Sequence, residues 1–250
     1  MSDMALLCLD RGNTRLKWGL HANGAWLAQG VLADVAELPA ALAALPRPQR
    51  AFACNVAGAA AQAAIEAALA RLQLPLAWCR SEAAACGVKN GYAEPAQLGA
   101  DRWAALVGAR ALCPAACLVV NAGTATTIDV LDAVGRFRGG LILPGIALMR
   151  AALAGNTAQL PGAGGVFRPL PDNTADAIAS GCVQATLGAM ERMFAPLAAE
   201  PAALCLLSGG AAAELTPGLN LPWRMVDNLV LEGLARIGAG PENAFNIVRE

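Results

Sequence analysis

The segment LLCLDRGNTRLK, residues 6–17, is an apolar run stopped by a carboxylate, Asp10, and followed by Gly12, Asn13, Thr14 and Lys17. A glycine-rich turn exposes backbone N–H groups because no side chain blocks the approach, and a flanking amide and hydroxyl add donors. Lys17 can neutralise phosphate as a point cation, and Asp10 can hold Mg2+ directly or through water. Taken alone, such a turn is equally an ordinary hairpin. A second one, NAGTATT at 121–127, offers the other half of a polyphosphate cradle. The third group able to do chemistry is Asp101, at the start of the helical pattern that continues WAALVGARAL. A carboxylate there can accept the proton of an alcohol attacking phosphorus, and it can equally cap a helix beside Arg102.

Other chemistries lack their residues. The single histidine, His21, is accompanied by no GxSxG turn and reads as a strand-edge residue. Eight cysteines, spread from Cys8 to Cys205 without a CxxC pair, do not have zinc-ligand spacing, and most of them read as small buried hydrophobes in a reducing compartment. The only tyrosine, Tyr92, lies in a Gly/Pro-containing segment suited to a loop over a site.

The elements that must carry these groups show a repeat. LLCLDRGNTRLKWGLH at 6–21 and CLVVNAGTATTIDVLD at 117–132 share one plan: an apolar strand, Asp10 or Asn121, a glycine turn with small polar residues, and an antiparallel return strand. Two copies imply a duplicated lobe. Alanine-rich stretches at 57–72 and 99–112 and a pattern at 174–195 predict helices, LILPG at 141–145 predicts a strand, and LCLLSGGAAAEL at 204–215 predicts strand, Gly209-Gly210 turn and helix. We place the lobes at 1–115 and 116–250.

At 56% hydrophobic and 15% charged, the 250-residue chain has a globular composition. A net charge of −1 without basic runs excludes the electrostatic footprint of a nucleic-acid binder. The opening MALLCL follows Asp3 and is too short for a signal h-region, and the longer apolar runs fall short of a membrane span. These features predict a cytoplasmic protein with neither nucleic acid nor membrane as a partner.

DRGNTRLK, GYAEPAQLGADRW at 91–103, NAGTATTID at 121–129 and NTADAIASG at 173–181 resemble, in order along the chain, the successive signatures of type III pantothenate kinases. The resemblance implies an α/β fold of the acetate/sugar kinase, Hsc70 and actin superfamily: duplicated ribonuclease-H-like lobes, mixed sheets flanked by helices, and a cleft between the lobes. It implies phosphorylation of pantothenate to 4′-phosphopantothenate by ATP with Mg2+, at the entry to coenzyme A synthesis, by a homodimer. By resemblance, Asp10, Arg11, Gly12, Asn13, Thr14, Arg15, Leu16 and Lys17 form the first phosphate loop with Asp10 next to Mg2+, and Thr124 contacts ATP from the second. Tyr92, Gly99, Ala100, Asp101, Arg102 and Thr174 line the pantothenate site, with Asp101 as general base. Where most of the family has an aspartate associated with K+ or NH4+, this chain has Asn121. The alternatives are another small-molecule kinase of the superfamily or a nucleotide-binding regulator of the same fold.

Overall fold

The computed structural model describes residues 5–156 and 164–240, so residues 1–4 of the apolar opening lie outside it. The chain divides into two units, one running to Leu112 and resuming at Leu229, the other being Cys113–Asn228.

The first unit is built on strands β1 (Leu6–Arg11), β2 (Leu16–Ala22), β3 (Ala25–Leu32), β4 (Arg50–Asn55) and β5 (Leu76–Trp78), in the sheet order β3-β2-β1-β4-β5. β1, β2 and β3 are antiparallel neighbours, whereas β1, β4 and β5 run parallel. β1 is covered on both faces, which is why LLCL reads as a continuous apolar run rather than an alternating one. On one face Leu7, Leu9, Trp18 and Ala53 pack with Leu38 of α1 (Leu38–Leu42) and with Ile65 and Leu69 of α2 (Ala59–Arg71). A short hairpin, β6 (Ala84–Ala85) and β7 (Val88–Lys89), precedes α3 (Ala100–Leu112), whose residues 102–109 are all buried.

The second unit repeats the plan. β8 (Cys117–Ala122), β9 (Ala125–Leu131), β10 (Phe137–Pro144), β11 (Leu204–Ser208) and β12 (Trp223–Met225) take the order β10-β9-β8-β11-β12, again antiparallel on one side of the first strand and parallel on the other. The β10-to-β11 connection carries α4 (Ile146–Asn156) and α5 (Thr174–Phe194), and α6 (Ala212–Leu215) joins β11 to β12. Leu118, Val120, Ile128 and Leu207 form its core with Cys182, Val183, Leu187 and Met190 of α5. Identical strand order in both sheets makes each unit a ribonuclease-H-like lobe, and the duplication expected from the sequence repeat is present.

The last described helix, α7 (Leu229–Gly238), packs on α3 and β1 of the first unit, whereas the division read from sequence ran the second lobe to residue 250. The cause is a close helix crossing. A Cβ on Gly233 would overlap the Ala104 carbonyl, and one on Gly108 would overlap that of Leu229. Such an approach is open only to glycine, and it seats Gly238 against Leu6 and Phe52.

Candidate active site

In the first unit the apolar β1 delivers Asp10 to its carboxyl end, where the chain turns through Gly12, whose N–H donates to the Arg15 carbonyl at 3.2 Å, and returns as β2. Register sets Asp10 opposite Lys17 on β2 and opposite Cys54 on β4. Asp10 is buried, and the Cys54 thiol donates to its Oδ1 at 3.3 Å. Burial pushes the Asp10 carboxyl up to about 6; Lys17 and the thiol hydrogen bond pull the other way, and the nearby Asp101 raises it further. The same burial, with Asp10, Cys79 and Asp101 around it, raises the Cys54 thiol well above its ordinary value.

Asp101 stands in the first turn of α3 and accepts the Arg102 backbone N–H at 2.8 Å. It is near enough to Asp10 for its charge to raise the Asp10 carboxyl. Arg102 is buried, and its guanidinium donates to the Tyr92 hydroxyl at 3.1 Å while lying 5.8 Å from that ring's centre. Tyr92 is itself placed by an Asx turn, its N–H donating to Asn90. Thus Asp10, Lys17, Asp101, Arg102 and Tyr92 belong to one unit, with Gly99 and Ala100 forming the entry to α3. His21 is outside this group, edge-on to Trp26.

The second unit holds Asn121, Thr124 and Thr174. Its turn is two residues long, with the Gly123 N–H donating to Ala125 at 3.0 Å. The Thr124 carbonyl accepts the Gly145 N–H at 2.9 Å, and a Cβ on Gly145 would overlap the Gly123 carbonyl. Gly209, at φ +104°, abuts Ala122 equally closely, so bare backbone surrounds the turn as a phosphate site requires. Asn121 is in register with Thr127 and Ser208, which puts three neutral oxygen-bearing side chains on one sheet face.

Thr174 opens α5 and lines an apolar cavity of about 680 Å³ with Pro144, Leu148, Met149, Leu153 and Ile178. Asp176, two residues on, is engaged by the protein. It accepts the Val166 N–H at 2.8 Å, the Arg168 guanidinium at 2.9 Å and the Asn173 amide at 3.0 Å, and these hydrogen bonds lower its carboxyl below the usual range. Of the two residues near the start of α5, Asp176 is therefore a fastening and Thr174 faces open space.

Cys54 was read from sequence only as a small hydrophobe. The available signal was position: a polarisable donor at the carboxyl end of the strand that runs parallel to β1.

The paired lobes place the chain in the fold class of actin-like ATPases and sugar kinases. Solved structures with this fold include ethanolamine utilization protein EutJ from Carboxydothermus hydrogenoformans, with a TM-score of 0.55 and 14% identity, covering 94% of this chain and 89% of that one. Component A of (R)-2-hydroxyglutaryl-CoA dehydratase from Acidaminococcus fermentans matches with a TM-score of 0.53 and 12% identity over 96% of this chain and 99% of that one. Sequence carries the assignment further. The family model for type III pantothenate kinase matches residues 6–196. Relatives of that name are 59% identical over 232 residues in Aromatoleum aromaticum, covering 92% of this chain and 96% of theirs, and 51% identical over 238 residues in Azoarcus sp., covering 94% and 90%. The chain belongs to the type III pantothenate kinase family.

Proposed function

We propose that the protein transfers the γ-phosphoryl group of ATP to the primary hydroxyl of pantothenate, giving 4′-phosphopantothenate for coenzyme A biosynthesis. The observation that carries this reading is the juxtaposition of Asp10 and Asp101 beside a glycine turn, in a chain of this family. Asp101 takes the hydroxyl proton as the alcohol oxygen bonds to the γ-phosphorus and the bond to the ADP oxygen breaks. The backbone of residues 10–17, with Arg11, Asn13, Thr14, Arg15 and Lys17, holds the triphosphate in the first unit, and Thr124 of the second unit keeps the ATP role that the resemblance implies. Tyr92, Gly99, Ala100 and Arg102 of the first unit hold pantothenate, with Tyr92 oriented by the Arg102 guanidinium, and Thr174 of the second unit keeps the pantothenate role that the resemblance implies.

Asp10 fits a hard divalent cation. It is one buried carboxylate with a single weak thiol donor, and Mg2+ takes one or two protein carboxylates together with substrate phosphates. When bound, Mg2+ supplies neutralisation of the charge on the transferring phosphoryl group. For a monovalent cation the end of β8 offers the neutral oxygens of Asn121, Thr127 and Ser208, the buried Asp129 standing two residues further along β9 on the same face, and without a carboxylate at Asn121 itself K+ or NH4+ is weakly held or dispensable.

A homodimer completes this reading. Leu148 and Leu153, at 51% and 40% exposure, line the cavity at Thr174 with the kind of apolar surface that marks an interface. Sedimentation should give a dimer, and a fully active monomer would remove this part of the proposal. A cytoplasmic location is supported by the cysteines, none of which is in a disulfide, and no helix among the described residues is long and apolar enough to cross a membrane. The decisive assay couples ADP release to pantothenate addition; ATP turnover indifferent to pantothenate would overturn the substrate assignment.

A further inference from the structure

Asp10 is among the most enclosed charged residues of the molecule, yet the donor that reaches its side chain from across the sheet is a thiol. Cys54 is fully buried on β4, directly opposite Asp10 in the parallel register, with Sγ 3.3 Å from Oδ1. Two such atoms share a dry site at that distance with a proton between them, since a bare thiolate against a carboxylate would leave two buried charges repelling one another. The S–H group is then committed to one oxygen, and Oδ2 is the oxygen that it leaves unengaged.

The surroundings make this a restraint on direction rather than mere filling. Cys54 is anchored by the β1–β4 ladder, and the neighbouring carbonyl of Ala53 accepts the Cys79 N–H at 2.7 Å. Cys79 in turn approaches the Ala100 carbonyl, where α3 begins and Asp101 follows, with Sγ at 4.0 Å. The strand that holds Asp10 in orientation is thereby tied to the segment that presents the second carboxylate. A carboxylate on a short side chain has one rotatable bond beyond χ1, broad and roughly two-fold. One fixed hydrogen bond at Oδ1 is enough to select among its orientations.

We propose that Cys54 is a positioning residue for Asp10, its thiol holding one carboxylate oxygen so that the other is kept for the divalent cation accompanying ATP. This rests on the reading of Asp10 as the Mg2+ residue given above. The thiol touches neither substrate nor cation, so it acts only through Asp10. A thiol is a weak donor, which restrains the carboxylate without drawing away the electron density a cation needs.

The test uses the full-length protein with Cys54→Ala and Cys54→Ser. Mn2+ binding in the presence of a non-hydrolysable ATP analogue is followed by the electron paramagnetic resonance signal of free Mn2+, and the melting temperature of each variant confirms folding. Loss of one hydrogen bond predicts that Cys54→Ala weakens Mn2+ binding roughly 3–10-fold. The Mg2+ concentration for half-maximal turnover should rise in parallel, with the KM for pantothenate unchanged. Cys54→Ser, which restores a donor of similar size, should return Mn2+ affinity to within about twofold of wild type. Folded Cys54→Ala with wild-type Mn2+ affinity overturns the proposal, and so does a Ser variant as impaired as the Ala variant. Because Mn2+ binding is read without pantothenate, a wild-type protein that failed to phosphorylate pantothenate would defeat the substrate assignment while this measurement still decided the role of Cys54.

Discussion

Asp10 in the first unit and Asp176 in the second are both buried carboxylates, and their environments push them in opposite directions. Asp176 is surrounded by donors: a backbone N–H, an amide and a guanidinium, all within 3.0 Å, which favour its charged form. Asp10 receives a thiol, and desolvation dominates. The difference separates structural from chemical use of one side chain. A carboxylate whose lone pairs are filled by the protein fastens a loop, whereas one left underserved at a strand end keeps its capacity for a cation or a proton.

The largest expected effect lies at the third carboxylate, Asp101, which shares the crowding around Asp10. Asp101→Asn keeps the size and the acceptor for the Arg102 N–H but removes the base, so turnover should fall by about 10²–10⁴ with ATP binding little changed. Near wild-type turnover would deny Asp101 the proton.

Asp10→Asn and Asp176→Asn set the contrast directly, since one should gain stability and the other lose it. An Asp10 value near 6 in the folded chain, above an unfolded value of 3.8, means its ionisation opposes folding. That cost is absent below the unfolded value, grows as pH rises through the folded one, and amounts to about 3 kcal/mol at neutral pH. Asp10→Asn should therefore raise the melting temperature of the ligand-free protein at pH 7 while abolishing Mg2+-dependent turnover, and the advantage should vanish at the acid end of this window. Asp176 is depressed, so its contribution is present above the ordinary carboxylate range and lost as pH falls through its lowered value. Asp176→Asn should lower the melting temperature by a few degrees at pH 7 by loosening residues 164–173 from α5. Thermal scans of both variants extended well below pH 4 would separate the two windows: the Asp10→Asn advantage should grow between 3.8 and about 6, whereas the Asp176→Asn deficit should hold across that range and fade only below 3.8; a deficit that faded inside the Asp10 window would erase the distinction drawn here.

Much of this arrangement is legible before any coordinates. LLCL and CLVV announce strands buried on both faces, and such strands lose the alternation of a half-exposed sheet. Gly12 and Gly123 mark the turns because local backbone chemistry demands them. What stays hidden depends on partners distant in sequence. That α7 joins the first unit is decided by Gly108 and Gly233 meeting across the fold, and nothing near Leu229 records it. Cys54 is an unremarkable strand residue until the parallel register sets it beside Asp10. Thr174 is the residue that the resemblance assigns to pantothenate, and the three donors gathered on Asp176, two residues on, are visible only in the fold.

A smaller effect is expected at Tyr92, where the first unit pairs charge with a neutral hydroxyl. Tyr92→Phe deprives the buried Arg102 guanidinium of an acceptor and the proposed pantothenate site of its phenol, a loss of ~1–3 kcal/mol. The KM for pantothenate should rise roughly tenfold with a smaller change in kcat. An unchanged KM would return Tyr92 to a role in shaping its loop.

The smallest effect concerns a position where the second unit carries no charge. Asn121 occupies the site in β8 that corresponds in the sequence repeat to Asp10 in β1, with Thr127 and Ser208 as its register partners. Three neutral oxygens can coordinate a monovalent cation but lack the charge that would hold it, and the Asn121 amide can instead donate to a phosphate. Wild-type activity in a buffer of a bulky organic cation should therefore persist and respond weakly to added K+ or NH4+. Asn121→Asp restores a carboxylate to that face, and an added ion pair in a partly exposed setting is worth about 1 kcal/mol, or roughly fivefold in apparent ion affinity. The variant should accordingly become more dependent on K+ than its parent. If instead the wild type is inactive without the ion and saturates at low millimolar K+, the neutral face already binds the cation well, and the contrast between charged and uncharged strand ends carries no consequence for ion dependence.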